Sequence, residues 1–380
     1  MDKYIKNLDD SQKREIMLKA VSLAEKGRGN TAPNPCVGAL LTRKGEIVAQ
    51  SWHKQFGGKH AEVRAIEQAR QLGVNPSSCT LWVTLEPCNH IGRTPPCTRA
   101  ILDAGIDHVI AGVRDPNQQV KGGGLDYLRK VGIEVEEGIA WQECRDSISD
   151  FLLWQQESRP YVYLKLASTL DGKIANREGE PLAISGDQSW NRVHELRSRV
   201  QAVLVGGNTF YADDPRLTAR TSRKDIKQPR AVVVTSRLPD TEKKYNLLGT
   251  RPRDVMFWTA NKKGQEEKEK AISDLGGCVW ELEQSANETD FRGALQRLYK
   301  EQSCYYVLCE GGGKLAMTLF KQGLVDTFFH VLNPSVLGDE MAVSLFSGSR
   351  GTELTEENRL RLLKQENVGE DLWLSLSPYR

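Results

Sequence analysis

The residues best equipped for chemistry in this sequence are His60, Cys88 and Cys97, with Glu62 two positions beyond the histidine. A neutral imidazole and two thiolates form a borderline-soft donor set suited to zinc. Three protein ligands leave a tetrahedral ion one open position, which marks a catalytic site rather than a structural one. Water bound at such an ion has its pKa lowered to about 7, so hydroxide is available at neutral pH. The chemistry also needs a proton carrier that is not itself a ligand. Glu62 can take the water's proton and pass it to a departing amine. A structural ion would want a fourth Cys or His. His90 is the nearby one, and it is read here as lining a substrate loop.

The second half holds a different signal. Tyr305–Cys309 reads as a strand, followed by Glu310, Gly311-Gly312-Gly313 and a helix from Lys314. Glycines let backbone approach a pyrophosphate closely, and a helix N-terminus favours the anion. The pattern is not G-x-G-x-x-G and lacks the later acidic ribose partner, which argues against a plain Rossmann domain. A second stretch, Val205 to Arg220, takes a buried strand into polar groups that can bind a cofactor, with Arg220 as a fork suited to phosphate. Lys165 is a charge inside an apolar strand, where burial without a role would be costly.

The order H-x-E, then P-C, then a further Cys resembles the zinc deaminases of nucleobases. Here eight residues, Asn89 to Pro96, separate the two cysteines, where those enzymes have two. The segment Pro87-Cys-Asn-His-Ile-Gly-Arg-Thr-Pro-Pro-Cys97 resembles the deaminase half of the bifunctional riboflavin-biosynthesis deaminase–reductases. So do Ala32-Pro-Asn-Pro-Cys-Val-Gly38, His60-Ala-Glu-Val63, and Asp115-Pro-Asn117 with Gly122 and Gly124. Asn89 stands where that family commonly has Ser. In the second half, Leu164–Lys173, Val205–Arg220 and the triple-glycine segment are similar to the reductase half, which resembles dihydrofolate reductase in fold.

The resemblance implies NADPH contacts at Ala167, Thr209, Asp213 and Ser236, and along Gly312, Gly313, Lys314, Leu315, Ala316, Met317 and Thr318. It implies substrate contacts at Arg197, Leu217, Arg220 and Glu310, with Arg197 and Arg220 suiting a 5′-phosphate. Lys165 and Glu310 are expected to position or protonate the sugar. Asn34 and His53 are expected in the deaminase pocket, although His53 reads equally well as a surface-loop histidine. Pro181 and Ala183 replace the family's usual Ser and Trp, so side-chain contacts at those positions are not expected.

These residues must be held by alternating helices and strands. Ser11 can cap a helix to about Lys26, with apolar residues at helical spacing. Strands follow at Cys36–Thr42 and Glu46–Trp52 across Lys44-Gly45, then at Thr80–Leu85, His108–Val113 and Ile133–Glu137. Helices are expected at His60–Leu72, with His60 and Glu62 in its first turn, and at Cys97–Ala104, Gly124–Lys130 and Trp141–Glu157. Cys97 then opens a helix, where free N–H groups and the helix dipole favour a thiolate. Short connections between alternating elements predict helices packed on a mostly parallel sheet. The polar stretch from Gln156 to Pro160 marks a boundary. A zinc-dependent deaminase domain is expected over 1–157 and an NADPH-dependent reductase domain over 158–380, both α/β. The second half repeats the alternation, with an antiparallel edge at Arg359–Gln365 and Leu372–Ser377.

Composition bounds the function. Lys plus Arg is 52 and Asp plus Glu 50, a net charge of +2, which speaks against a polybasic nucleic-acid surface. No run approaches the roughly 18 apolar residues of a membrane span. No apolar signal core begins the chain, so a cytoplasmic protein acting on a small molecule is expected. The eight cysteines are too scattered for a disulfide scaffold. The expected function is zinc-dependent deamination of 2,5-diamino-6-ribosylamino-4(3H)-pyrimidinone 5′-phosphate, then NADPH reduction of the ribosyl group. The rivals are a nucleic-acid or nucleoside deaminase with an appended module, and a non-catalytic zinc-stabilised scaffold. The sequence leaves open whether the chain forms a homo-oligomer.

Overall fold

Asp9, not Ser11, starts the first helix. In the computed structural model its carboxylate accepts from the Gln12 amide at 2.8 Å, and the Gln12 side chain accepts from the Asp9 amide at 3.0 Å. This reciprocal cap satisfies two otherwise orphaned N–H groups of α1 (Asp10–Ala24). The structure describes residues 5–92, 95–116, 123–222, 226–285, 288–348 and 355–379. The chain divides into two compact units, Met1–Glu157 and Ser158–Arg380.

After α1 the first unit runs through β1 (Gly38–Arg43), β2 (Glu46–Trp52), α2 (Ala61–Gln71), β3 (Thr80–Leu85), α3 (Cys97–Asp103), β4 (His108–Val113), α4 (Gly124–Lys130), β5 (Glu134–Glu137), α5 (Trp141–Ser147) and α6 (Ser149–Glu157). Its sheet has the order β2-β1-β3-β4-β5. β1 pairs antiparallel with both β2 and β3, and only β3-β4 and β4-β5 are parallel. The expectation of a mostly parallel sheet therefore fails for this half. The hairpin at Lys44-Gly45, both at positive φ, sends the chain straight back, and no crossover helix intervenes.

β3 and β4 are buried along their whole length, as strands covered on both faces must be. One face packs Leu41, Leu81, Val83 and Val109 against α2, α3 and α4 through Ala65, Ile66, Ile101 and Leu125. On the other, α1 comes so close that a Cβ on Gly38 would lie 2.0 Å from Ala20 O.

The second unit comprises β6 (Tyr161–Ser168), β7 (Lys173–Ala175), α7 (Asp187–Arg197), β8 (Ala202–Gly206), α8 (Gly207–Asp213), β9 (Arg230–Val234), α9 (Asn246–Thr250), β10 (Val255–Thr259), α10 (Glu266–Asp274), β11 (Cys278–Glu281), β12 (Gln284–Ser285), β13 (Glu288–Thr289), α11 (Phe291–Gln302), β14 (Tyr306–Cys309), α12 (Gly313–Lys321), β15 (Thr327–Leu332), β16 (Val343–Ser344), β17 (Leu360–Val368) and β18 (Asp371–Pro378). Nine of the strands form one sheet, in the order β11-β10-β9-β8-β14-β6-β15-β18-β17. It is parallel from β11 to β15, and β18 and β17 add the antiparallel edge expected from the tail. One core cluster lies on one face, where Val162, Leu164, Leu204 and Val307 meet Leu295, Leu298, Leu315 and Leu319 of the helices. On the other face Tyr163 stacks on Tyr306 and Phe329, with ring centroids 5.9 and 5.5 Å apart.

The chain order contains a reversal. β8 is followed by β9 on one side, whereas β14 is followed by β15 on the other. Helices that depart to opposite sides leave a crevice at the carboxyl ends of β8 and β14, the place where open parallel sheets bind ligands.

Candidate active sites

The three metal-ligand candidates come from three separate starts. His60 is the residue before α2, in extended conformation, so the helix begins one residue later than expected and Glu62 is its second residue. Cys88 follows Pro87 beyond the end of β3, and Cys97 is the first residue of α3. His60 Nδ1 lies 3.2 Å from Cys97 Sγ and 3.5 Å from Cys88 Sγ. The three ligand atoms lie within 4.8 Å of one another, and among the described residues no fourth Cys, His or carboxylate joins them. The amide of Cys97 donates to Cys88 Sγ at 3.4 Å. The open helix end thus serves the sulfur of Cys88 rather than that of Cys97. Hydrogen bonding from the Cys97 thiol, against the cost of burial, and then from His60 pulls the Cys88 thiol down to about 4. The Cys97 thiol is pushed up, since it retains the shared proton and is buried.

Zinc fits this set. The donors are borderline-soft, converge, and number one fewer than a closed structural site. Glu62 is 3% exposed, and among the described residues its Oε2 has no hydrogen-bond partner. A buried acceptor without a partner is costly, which marks a place for an exchangeable one. Burial and the neighbouring Cys88 raise the Glu62 carboxyl above the ordinary carboxylate range, toward the value a proton carrier needs.

A cavity of about 310 Å³ opens onto these groups and is lined by Asn34, His53, His60, Glu62, Cys88 and Phe151, among others. His53 is 2% exposed, not a surface-loop histidine. Its Nδ1 donates to Lys59 O at 3.2 Å and its Nε2 accepts from Asn34 Nδ2 at 3.3 Å, an assignment set by the carbonyl. Burial lowers its pKa and keeps the ring neutral. His90 is exposed at the cavity's rim, outside the ligand cluster. Of the resemblance motifs, Arg93, Thr94, Asn117 and Gly122 lie outside the described residues.

Two wall residues had no sequence signal. Phe151 was expected deep in one long helix, but the helix breaks between α5 and α6. There Arg28 donates to Ser147 O at 2.8 Å and pairs with Asp150 at 2.6 Å, and the bend turns Phe151 into the cavity. Glu86 accepts from the amides of Asp115 and Leu125, both at 3.0 Å, tying β3 to the start of α4. Both depend on contacts remote in sequence.

The second site gathers at the reversal in the large sheet. Glu310, just past β14, is gripped by Arg197 of α7 through Nε–Oε1 at 2.6 Å and Nη2–Oε2 at 2.7 Å. The remaining arm of Arg197 donates to Thr218 O at 3.1 Å. All three arms are engaged, so the expected phosphate contact at Arg197 meets a guanidinium already occupied within the protein. Arg220 is exposed and has a 3.4 Å contact to Thr218 Oγ1. Burial opposes charge on Glu310, but Arg197 and Lys165 more than offset it, and the carboxyl lies below its ordinary value. Lys165 on β6 is 8% exposed, and its Nζ lies 5.5 Å from the ring centroid of Trp190. Burial lowers its pKa despite the opposing pull of Glu310.

NADPH also fits. Gly312 is the residue before α12, and a Cβ there would lie 3.7 Å from Thr209 Oγ1, so backbone and hydroxyl come together at the crevice. A Cβ on Gly313 would sit 2.7 Å from Ser344 O. Thr209 and Asp213 belong to α8, a helix absent from the sequence expectation, whereas Ser236 is exposed beyond β9. Leu315 and Ala316 turn their side chains into the core, which leaves only their backbone for a ligand. Leu217 is likewise 2% exposed and has φ 49°, a strained conformation for a leucine. Ala167, next to last in β6, is half-buried, and Pro181 and Ala183 are exposed.

Each half of the chain matches a known protein family. Residues 160–374 match the RibD C-terminal domain, and residues 10–113 match the cytidine and deoxycytidylate deaminase zinc-binding region. The riboflavin biosynthesis protein RibD of Aquifex aeolicus is 36% identical over 369 residues, 96% of this chain and 98% of the relative. That of Escherichia coli is 33% identical, covering 96% and 99%. A crystal structure of the Thermotoga maritima diaminohydroxyphosphoribosylaminopyrimidine deaminase/5-amino-6-(5-phosphoribosylamino)uracil reductase superposes with a TM-score of 0.78 at 32% identity, covering 97% and 99%. Acinetobacter baumannii RibD gives 0.76 at 32%, covering 98% and 100%. Matches across both halves disfavour a nucleic-acid deaminase with an unrelated module, and the α/β class expected for each half holds. With one relative more than a third identical along nearly its whole length, the chain belongs to the RibD family of riboflavin-biosynthesis proteins.

Proposed function

We propose that this chain performs two successive steps of riboflavin biosynthesis on a phosphorylated pyrimidine, each at its own site. The first is hydrolytic deamination of 2,5-diamino-6-ribosylamino-4(3H)-pyrimidinone 5′-phosphate. The second is reduction of the ribosyl group of the resulting 5-amino-6-(5-phosphoribosylamino)uracil to ribityl, with NADPH.

In the first step, zinc held by His60 Nδ1, Cys88 and Cys97 supplies the acidity that makes a water nucleophilic at neutral pH. The water's oxygen bonds to C2 of the pyrimidine, the C2–N bond to the exocyclic amine breaks, and ammonia leaves. Glu62 takes a proton from the attacking water and returns one to the leaving nitrogen. Its burial raises the carboxyl above its ordinary range, which favours return of the proton it takes. His53, kept neutral by burial and oriented by Lys59 O, and Asn34 hold the substrate edge-on. Phe151 closes the apolar side of the cavity.

In the second step, NADPH bound by Thr209 and the Gly312–Thr318 segment supplies the hydride. As C1′ is reduced, its bond to the ring oxygen opens and that oxygen gains a proton. Lys165 is the donor in reach of a sugar lying against β6. Glu310, held rigid by Arg197, orients the sugar hydroxyls. Arg220 meets the 5′-phosphate, and Leu217 contributes backbone only.

The observation that carries this reading is the convergence of His60, Cys88 and Cys97 beside the unpartnered Glu62 Oε2. The test is zinc content, ammonia release from the diaminopyrimidine phosphate, and NADPH oxidation on the deaminated product. Ammonia released only from single-stranded nucleic acid would overturn the reading. Lys165→Ala or Glu310→Ala should abolish NADPH oxidation and leave deamination near normal.

A further inference from the structure

The C-terminal hairpin ends its turn on a buried carboxylate that neither reaction step uses. Asp371, the first residue of β18, is 2% exposed. It accepts from the Gly186 amide at 3.0 Å, Ser189 Oγ at 2.5 Å and Asn333 Nδ2 at 2.7 Å. Gly186 is the cap residue of α7 and has no side chain to serve the helix end. The carboxylate therefore does so from the other end of the chain, and its negative charge faces the positive end of the helix.

More contacts join the same two elements. Trp373 Nε1 donates to Ser189 Oγ at 2.8 Å, Arg192 pairs with Glu366 at 2.5 Å, and the Arg192 guanidinium lies 4.7 Å from the Trp373 ring centroid. A Cβ on Gly369, at φ 63°, would come within 3.4 Å of Gln188, so the turn rests on the first turn of α7. Below this anchor, residues 190, 194 and 197 fall on one face of α7 at the spacing of a helical stripe. Trp190 is 44% exposed above Lys165, His194 bonds Thr218 O, and Arg197 grips Glu310.

We propose that Asp371 is a positioning residue of the reductase site, holding α7 so that Trp190 and Arg197 confine Lys165 and Glu310. The claim rests on the reductase reading above. A carboxylate at the helix cap fixes both the depth and the rotation of α7. A small displacement there moves the Trp190 indole off Lys165 and slides Arg197 along Glu310. The groups facing Lys165 are Glu310 beyond β14, Arg197 and Trp190 on α7, and Asp371 itself on β18. His194 on α7 faces Glu310.

The test uses the full chain as wild type, Asp371→Asn, Trp190→Phe and the double variant, with ammonia release as the internal control. Wild-type NADPH oxidation on the deaminated pyrimidine comes first, and its absence would sink the reductase reading itself. Given wild-type activity, Asp371→Asn should lower kcat on the order of 10- to 100-fold, the scale of an ångström-level misplacement, with the KM for NADPH unchanged. The loss should shrink severalfold in the Trp190→Phe background, since coupled residues are not additive. The alkaline limb of the rate profile should move to lower pH, because Lys165 loses a neighbouring anion. A merely structural role would leave that limb in place and lower kcat only in proportion to the folded fraction of the second unit. Unchanged kcat in Asp371→Asn, or additive effects in the double variant, would overturn the proposal. If Asp371→Asn does not fold, Ser189→Ala, which removes one of the three donors but keeps the anion, should show the same kcat loss in smaller measure with the alkaline limb in place. Wild-type kinetics in Ser189→Ala would then refute it.

Discussion

Replacing Arg197 with Met removes the partner of a carboxylate that is 10% exposed, within a pair whose cation is 6% exposed. Breaking a buried ion pair by deleting one member costs about 3–5 kcal/mol, because the other charge stays buried and uncompensated. Lys165 still faces Glu310 and offsets part of this, so the expected loss is at the lower end, about 3 kcal/mol. For a unit of this size, at about 2–4 °C per kcal/mol, the transition temperature should fall by about 6–12 °C. The pH dependence gives a sharper signature. In the wild type the Glu310 carboxyl lies below its ordinary 4.5. Its contribution to stability is therefore present above pH 4.5 and is lost as pH falls through the lower folded value. Without Arg197, burial dominates and raises the carboxyl instead. The variant then loses stability as pH rises from 4.5 through that raised value. Its deficit is largest at neutral pH and closes toward pH 4.5. Calorimetry measures this, with the second unit's transition identified by its upward shift on adding NADPH. Arg197→Met with Glu310→Gln should recover most of the loss. The reasoning fails if Arg197→Met leaves the transition in place and only raises KM for the phosphorylated substrate, as a solvent-facing phosphate ligand would.

Other outcomes follow from the same geometry. Glu62→Gln should keep its zinc and its NADPH oxidation but lose about 10²- to 10⁴-fold in ammonia release, the range for a general acid–base group. Retained deamination would remove Glu62 from the proton path. Gly313→Ala sets a methyl 2.7 Å from Ser344 O and 2.9 Å from Leu345 O, both backbone atoms that cannot turn aside. NADPH affinity measured by fluorescence titration should drop about tenfold (about 1.4 kcal/mol) as the start of α12 shifts, and an unchanged affinity would disconnect that helix end from the cofactor. Burial lowers the Lys165 ammonium from its ordinary 10.5. Reductase kcat should therefore fall as pH rises through a value below 10.5, and Trp190→Phe or Asp371→Asn should move that limb. A rate flat to pH 10.5 would exclude Lys165 as the proton donor.

What could be read from the sequence was local. The metal trio, the proton carrier and the triple-glycine turn each sit on a short segment whose residue types state their chemistry. Most element positions followed from periodicity and from Pro or Gly stops, as at α4 and β3. The misses share a cause. The antiparallel pairing of β1 with β3, the break between α5 and α6 and the helix α8 are set by which segments meet, and no periodicity encodes that. The break at Ile148 exists because Arg28, far back in the chain, binds the exposed carbonyl of Ser147 and the carboxylate of Asp150.

The sequence by itself determined which atoms are available: three soft ligands, a carboxylate without a metal to bind, and glycines before a helix. It did not determine which charges would neutralise one another. Arg197 reads as a phosphate ligand on its helix, and folding spends it on Glu310. Asp371 carries no local signal, and folding makes it the cap of a helix that begins at Asp187. The reason is energetic. A charge taken out of water must find a partner or stay costly, and partners drawn from α7, β14 and β18 become neighbours only when the nine-stranded sheet sets those elements side by side.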